Sequence, residues 1–125
     1  MIFGIGVDLV EVRRIEAIIF RWEDRFLKKI FTDAEIKYCN NKKNPSQRFA
    51  TRFAAKQAFI KALYPKGSEG VEYRAIEIAQ EDRPTVILSG EVKRKSDEAG
   101  INKVHLMVSH DGNYAIANVV LEKKG

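Results

Sequence analysis

The segment Phe49 to Leu63, reading FATRFAAKQAFIKAL, restricts the architecture of this chain more than any other stretch. On a helical wheel at about 100° per residue its apolar side chains surround the axis. Phe49, Phe53, Ile60 and Leu63 form a large-residue side, and Ala50, Ala54, Ala58 and Ala62 form a small-residue side. A helix that is apolar all round belongs in an interior. Its alanine side lets a neighbouring strand or helix approach closely. The segment therefore predicts one long buried helix that the remaining elements must wrap. The exceptions are Arg52, Lys56, Gln57 and Lys61. Arg52 and Lys56 share a face as i,i+4 neighbours, and so do Gln57 and Lys61. Charge on a buried helix is costly unless it is paired or faces a ligand. Lys56 and Lys61 therefore either run their stems out to water or form a cationic wall for phosphates, and the sequence leaves both open.

The wrapping elements follow from local patterns. Phe3 to Leu9 (FGIGVDL) is a short apolar strand whose glycines permit close backbone approach. Val12, Ile15, Ile19 and Trp22 form one helical stripe, with Arg13, Arg14, Glu16 and Arg21 elsewhere. Thr32 and Glu35 have the spacing of a capping box. Asn40 to Gln47 is a polar surface loop, and the proline and glycines of Tyr64 to Gly70 stop the central helix. Beyond it the periodicity changes to two. Ala75 to Ala79 and Thr85 to Leu88 flank a hairpin turn at 80–84. Ser89 is placed to cap a helix from Gly90 to Ala99, closed by Gly100. Val104, Leu106 and Val108 then alternate with His105, Met107 and Ser109, and Asp111-Gly112 turns the chain into a last strand, Tyr114 to Leu121. The expected fold is α+β, an antiparallel sheet wrapped around a long buried helix. At 125 residues it is expected to form one domain, 1–125.

Charge and composition narrow the function classes. Lys and Arg number 22 against 17 Asp and Glu, a net charge of +5. That suits an acidic partner or a phosphorylated ligand, and equally a simple solubility surplus. Basic residues crowd at Arg13, Arg14 and Arg21, at Lys28-Lys29, and from Lys42-Lys43 through Arg48 and Arg52. The single cysteine, Cys39, excludes an internal disulfide and a cysteine-rich zinc site, and is expected to be a half-buried bystander. The apolar start, Met1 to Val10, is interrupted by Asp8 and followed by Glu11, Arg13 and Arg14. It is too short and too charged for a membrane span or a signal peptide, so a cytoplasmic protein without a membrane partner is expected. A nucleic-acid-binding sheet would interleave aromatic and basic residues. Tyr73 and Tyr114 form no such row, and no nucleic acid is expected.

Few residues carry recognisable chemistry by themselves. Asp8, a carboxylate in an apolar strand, is either a cap for the following helix or a metal ligand. Gly4-Ile5-Gly6 lacks the third glycine and the lysine of a phosphate loop, and neither a nucleophile elbow nor a His-Glu-x-x-His pattern occurs. His105 and His110 are five apart on a strand, so they point to opposite faces and do not share one metal. His105 shares its face with Ser109. An acidic residue on the first strand, a cationic buried helix and a histidine-bearing hairpin together suggest hard-metal-assisted chemistry on a phosphate ester.

Four segments in order carry a family likeness: GIGVDLVEVRRIE at 4–16, FTDAE at 31–35, RFAAKQAFIKAL at 52–63 and VSHDGNYAIANVV at 108–120. Together they resemble the holo-[acyl-carrier-protein] synthases, the short type of 4′-phosphopantetheinyl transferase. The resemblance implies transfer of the phosphopantetheine arm of coenzyme A to a serine of apo acyl carrier protein, in fatty acid biosynthesis. It also implies a magnesium ion, with manganese as the alternative, and a homotrimer with sites between subunits. Asp8 matches the family's magnesium-binding aspartate. Gln57 stands where an AAKEA pattern carries a glutamate, the second metal ligand. The resemblance thus assigns Asp8, Gln57 and Lys61 to catalysis, with Lys61 on the coenzyme A phosphates and Arg52 and Lys56 as supporting cations. His105 and Ser109 would border the nucleotide from a neighbouring subunit, and Arg13, Arg14 and Arg21 would meet the carrier protein. Gln57 is a departure from the pattern: its amide oxygen can coordinate a cation but brings no charge and accepts no proton. The alternative expectation is a catalytically impaired relative that binds coenzyme A or carrier protein without turnover.

Overall fold

The long helix runs from Pro45 to Leu63, four residues longer at its start than the apolar segment alone indicates. Pro45 occupies the first helical turn, where a missing N–H costs nothing, so of the loop expected at Asn40–Gln47 only residues 41–44 lie between helices, with Asn44 left-handed. The computed structural model describes residues 1–67, 69–79 and 83–125. Its elements are β1 (Ile2–Glu11), α1 (Val12–Trp22), α2 (Asp24–Ile30), α3 (Asp33–Asn40) and α4 (Pro45–Leu63). A 3-10 turn (Tyr73–Ala75) leads to β2 (Ile76–Ala79), β3 (Thr85–Leu88), α5 (Gly90–Glu98), β4 (Ile101–Asp111) and β5 (Tyr114–Lys123).

The strands form an antiparallel sheet in the order β1-β5-β4 and a separate antiparallel pair, β2-β3. Ala79 lies opposite Thr85, but residues 80–82 of the turn expected at 80–84 lie outside the described ones, as does Ser68 of the 64–70 break. Across the larger sheet, Gly4 aligns with Leu121 and Val104, Gly6 with Val119 and Leu106, and Asp8 with Ala117 and Val108. These residues face α4. Because strand side chains alternate, Ile5, Val7, Leu9, Met107 and Ile116 stand on the opposite face, exposed.

Glycine and alanine bring helix and strand into backbone contact. A Cβ at Gly6 would lie 1.9 Å from the Ala58 carbonyl oxygen, and one at Gly4 would lie 2.1 Å from that of Ala62. The small-residue side of α4 therefore meets the glycines of β1, as both patterns anticipated. The large-residue side packs into the core, where the Phe49 and Phe31 rings meet at 4.9 Å between centroids, tilted by 55°.

Other local expectations divide. Thr32 and Glu35 form the capping box of α3, each side chain bonding the other's backbone N–H. Ser89 precedes α5 without a side-chain cap bond, and Gly100 follows it at φ 78°. Helix α2 carried no clear signal in the sequence; Glu23, at φ 49°, separates it from α1. Trp22 leaves the buried stripe of α1: it is 43% exposed, with the guanidinium groups of Arg21 and Arg25 each 5.3 Å from its ring centroid. Cys39 is fully buried rather than half-buried. Burial pushes its thiol up to about 11, which keeps it neutral and unreactive. Among the described residues no helix is long and apolar enough to cross a membrane.

Candidate active site

The alternation of β1 turns Asp8 toward α4, and the i,i+4 spacing sets Gln57 and Lys61 side by side above it. Lys61 Nζ lies 2.9 Å from Asp8 Oδ1 and donates a second bond to the Val7 carbonyl at 3.1 Å. Gln57 Nε2 donates to the other carboxylate oxygen, Oδ2, at 3.4 Å. Asp8 is only 9% exposed, whereas the Lys61 side chain is 55% exposed. The cluster thus has a buried anionic floor and a cation reaching into solvent. Asp8 is not a helix cap: α1 begins after Glu11, and no side chain caps it.

A fourth residue, Tyr73, completes the group and had no signal in the sequence. Its hydroxyl donates to Gln57 Oε1 at 2.6 Å, and its ring stacks on Phe53 at 5.8 Å with planes 11° apart. Burial first, and then the Asp8 charge, raise the Tyr73 pKa, with Lys61 opposing. The phenol therefore stays protonated at neutral pH.

Lys56 departs from both sequence alternatives, since it neither reaches water nor faces a ligand. It is wholly buried, and its ammonium lies 2.8 Å from Glu35 Oε1, 3.0 Å from the Tyr73 carbonyl and 2.5 Å from that of Ile76. Three donors meet three acceptors, which leaves Lys56 nothing to offer a nucleotide. Burial lowers its pKa, with Glu35 opposing. Glu35 also accepts from the Thr32 and Ile78 N–H groups at 2.8 and 2.9 Å. The ion pair therefore clamps the segment carrying Tyr73 against α4. Glu35 was legible as a capping residue; its second task depends on a partner 21 positions away in the chain.

The remaining candidates lie on three surfaces. Arg52 is buried, its guanidinium 4.4 Å from the Tyr38 ring centroid. It lines a cavity of about 210 Å³ with Gln47, Arg48, Thr51, Val108 and His110. His110 Nδ1 is 2.9 Å from Gln47 Nε2. His105 and Ser109 stand on the sheet face opposite Asp8, so one chain does not bring them to it. His105 Nε2 instead lies 2.5 Å from Glu122 Oε2, a contact that holds the Glu122 carboxyl below its usual range. His110, two residues beyond Val108, has the parity of the helix-facing side, and that alternation is the signal that would have found it. Arg13, Arg14 and Arg21 are exposed along α1.

A family model described as the 4′-phosphopantetheinyl transferase superfamily matches residues 4–119. The chain belongs to that superfamily. A holo-[acyl-carrier-protein] synthase of Koribacter versatilis is 45% identical over 124 residues, covering 98% of this chain and 99% of the relative. One from Geotalea daltonii is 42% identical over 125 residues, covering 98% and 100%. Among solved structures, the Neisseria meningitidis holo-[acyl-carrier-protein] synthase superposes with a TM-score of 0.89 at 32% identity, over 98% of this chain and 100% of that one. The Helicobacter pylori synthase in complex with coenzyme A gives 0.81 at 33% identity, over 94% and 99%.

In this phosphopantetheinyl transferase fold, no group of three or more His, Cys, Asp or Glu side chains among the described residues could hold a metal alone. Asp8 and Gln57 nevertheless carry one carboxylate and one amide oxygen on adjacent side chains, the amide oxygen being turned to the Tyr73 hydroxyl and its NH2 to Asp8. Oxygen donors suit magnesium, which keeps several waters and takes its other ligands from substrate phosphates. The donor chemistry of the pair fits that ion.

Proposed function

We propose that this chain transfers the 4′-phosphopantetheine group of coenzyme A to a serine of apo acyl carrier protein, acting as a holo-[acyl-carrier-protein] synthase in fatty acid biosynthesis. The products are holo carrier protein and adenosine 3′,5′-bisphosphate. The observation that carries this reading is the Asp8–Lys61–Gln57 cluster, a buried carboxylate beneath a solvent-reaching ammonium. The coenzyme A bound in the Helicobacter pylori relative supports the same substrate here. One continuous core, built around α4, supports treating residues 1–125 as one domain.

Asp8 and Gln57 would hold magnesium, and manganese suits the same donors. When bound, the ion supplies positive charge against the pyrophosphate as its β-phosphorus is attacked. Lys61, anchored to Asp8 with its side chain half exposed, stabilises the phosphate that departs with the nucleotide. Gln57 accepts no proton and Tyr73 stays a phenol, so neither is a base. The serine proton leaves through a water that hydrogen-bonds Asp8. The cavity beside Arg52, Arg48 and His110 suits the phosphates of the adenosine half.

The assembly proposed is a homotrimer in the cytoplasm. The exposed apolar face of Ile5 (60%), Val7 (56%), Leu9 (59%) and Met107 (74%) supports burial against other copies of the chain. His105 and Ser109 share that face, so they would border a site only across such an interface. Arg13, Arg14 and Arg21 would dock the acidic carrier protein through a salt-sensitive association.

Mass spectrometry of intact apo carrier protein with coenzyme A and magnesium tests the reaction. The expected result is a phosphopantetheine mass gain that a chelator abolishes. Asp8→Asn should slow it at least about a hundredfold, about 2.7 kcal/mol of barrier. Gln57→Glu should tighten the magnesium dependence and raise the rate at neutral pH; no change in either would mean that Gln57 does not limit turnover. One observation favours the impaired-relative reading: the Gln57 NH2, not its oxygen, faces Asp8. Coenzyme A binding without any mass gain would select that reading.

A further inference from the structure

Gln57 turns the wrong end of its amide toward Asp8 for a cation ligand. Nε2 faces Asp8 Oδ2 at 3.4 Å, while Oε1 accepts the Tyr73 hydroxyl at 2.6 Å. A half-turn of the terminal amide exchanges its oxygen and nitrogen without moving the stem. That turn leaves Nε2 as a donor facing Tyr73, and a tyrosine hydroxyl accepts as readily as it donates. The phenol is held at both ends for this task. Its ring stacks on Phe53, and its backbone carbonyl accepts from the buried Lys56.

We infer that Tyr73 is a positioning residue for Gln57, its hydroxyl satisfying the amide in either orientation so that the oxygen can turn to a cation at Asp8. The inference rests on Asp8 and Gln57 being the cation ligands. It goes further in explaining how a neutral amide serves there. An amide has two unlike ends, so a partner able to bond either end decides how readily the oxygen is presented. A glutamate at 57 has two equivalent oxygens and needs no such partner. Tyr73 therefore matters in proportion to the asymmetry of residue 57.

The test is a cycle of Tyr73→Phe and Gln57→Glu, read as Mn2+ affinity by electron paramagnetic resonance on the full chain with coenzyme A present and without carrier protein. Phenylalanine keeps the ring stack and removes only the hydroxyl. With Gln57 present, Tyr73→Phe should weaken Mn2+ binding about tenfold, the usual effect of losing a residue that orients a ligand. With Gln57→Glu present, the same change should shift the affinity less than about twofold, because no unlike ends remain to be oriented. Equal weakening in both backgrounds would mean a merely structural tyrosine, and no weakening with Gln57 present would mean no role; either overturns the inference. Asp8→Asn separates the two levels. If wild type and Asp8→Asn bind Mn2+ alike, or wild type binds none, the ligand assignment fails and takes the inference with it. If Asp8→Asn alone abolishes binding and Tyr73→Phe changes nothing, only the inference fails.

Discussion

Gly6→Ala should destabilise the protein by about 4 kcal/mol, more than overpacking normally costs, because both sides of the clash are backbone. The added carbon would lie 1.9 Å from the Ala58 oxygen, 2.9 Å from its carbonyl carbon and 3.0 Å from the Ala62 nitrogen. No rotamer change relieves a contact with main chain, so β1 and α4 must separate by more than about an ångström to restore ordinary contact distance. Asp8 is two residues farther along the same face, and its bonds to Lys61 and Gln57 span that gap. Denaturant titration at fixed protein concentration measures the loss, and coenzyme A turnover should fall with it. A domain stable by about 5–15 kcal/mol would be left near its limit. A loss below about 1 kcal/mol, or the small gain that Gly-to-Ala brings where the backbone allows it, would mean that strand and helix are not in backbone contact.

Glu35→Gln should cost about 3–5 kcal/mol, since it leaves the Lys56 ammonium buried beside a neutral partner. The effect carries a pH signature. Burial already holds the Lys56 pKa below its ordinary 10.5, and Glu35 is the main force opposing that shift. Without the carboxylate the folded pKa falls further, while the unfolded chain keeps its proton up to about 10.5. Between those values the unfolded state binds more protons, so stability rises with pH. The deficit of Glu35→Gln relative to wild type should therefore narrow as the solution is made alkaline, and a deficit independent of pH would contradict a charged Lys56 at neutral pH. Replacing both partners, Glu35→Leu with Lys56→Met, should recover part of the loss, because the desolvation cost of two charges disappears. It should still fall at least about 1–3 kcal/mol short, since the Ile78 N–H loses its buried acceptor and the Tyr73 and Ile76 carbonyls lose their donor.

The sequence by itself determined the architecture. An all-round apolar helix with one alanine side, a strand with two glycines on a single face and a period-two second half leave few arrangements, and the observed one is among them. It also determined that Gln57 and Lys61 share a helix face, because the four-residue repeat is local geometry; that Asp8 joins them was implied only by the family resemblance. What only the tertiary structure decided is what each polar side chain faces. Lys56 and Lys61 look alike in sequence, yet one is sealed against Glu35 and two carbonyls while the other reaches water over Asp8. Tyr73 is 16 residues from Gln57 and meets it across the fold, with Lys56 of α4 holding the Tyr73 and Ile76 carbonyls. His110 and Arg52 meet at one cavity from different elements. Hydrogen bonds and ion pairs act over a few ångströms, and the distances that matter to them are set by packing between elements far apart in the chain. Periodicity reports the direction of a side chain, and the fold supplies its partner.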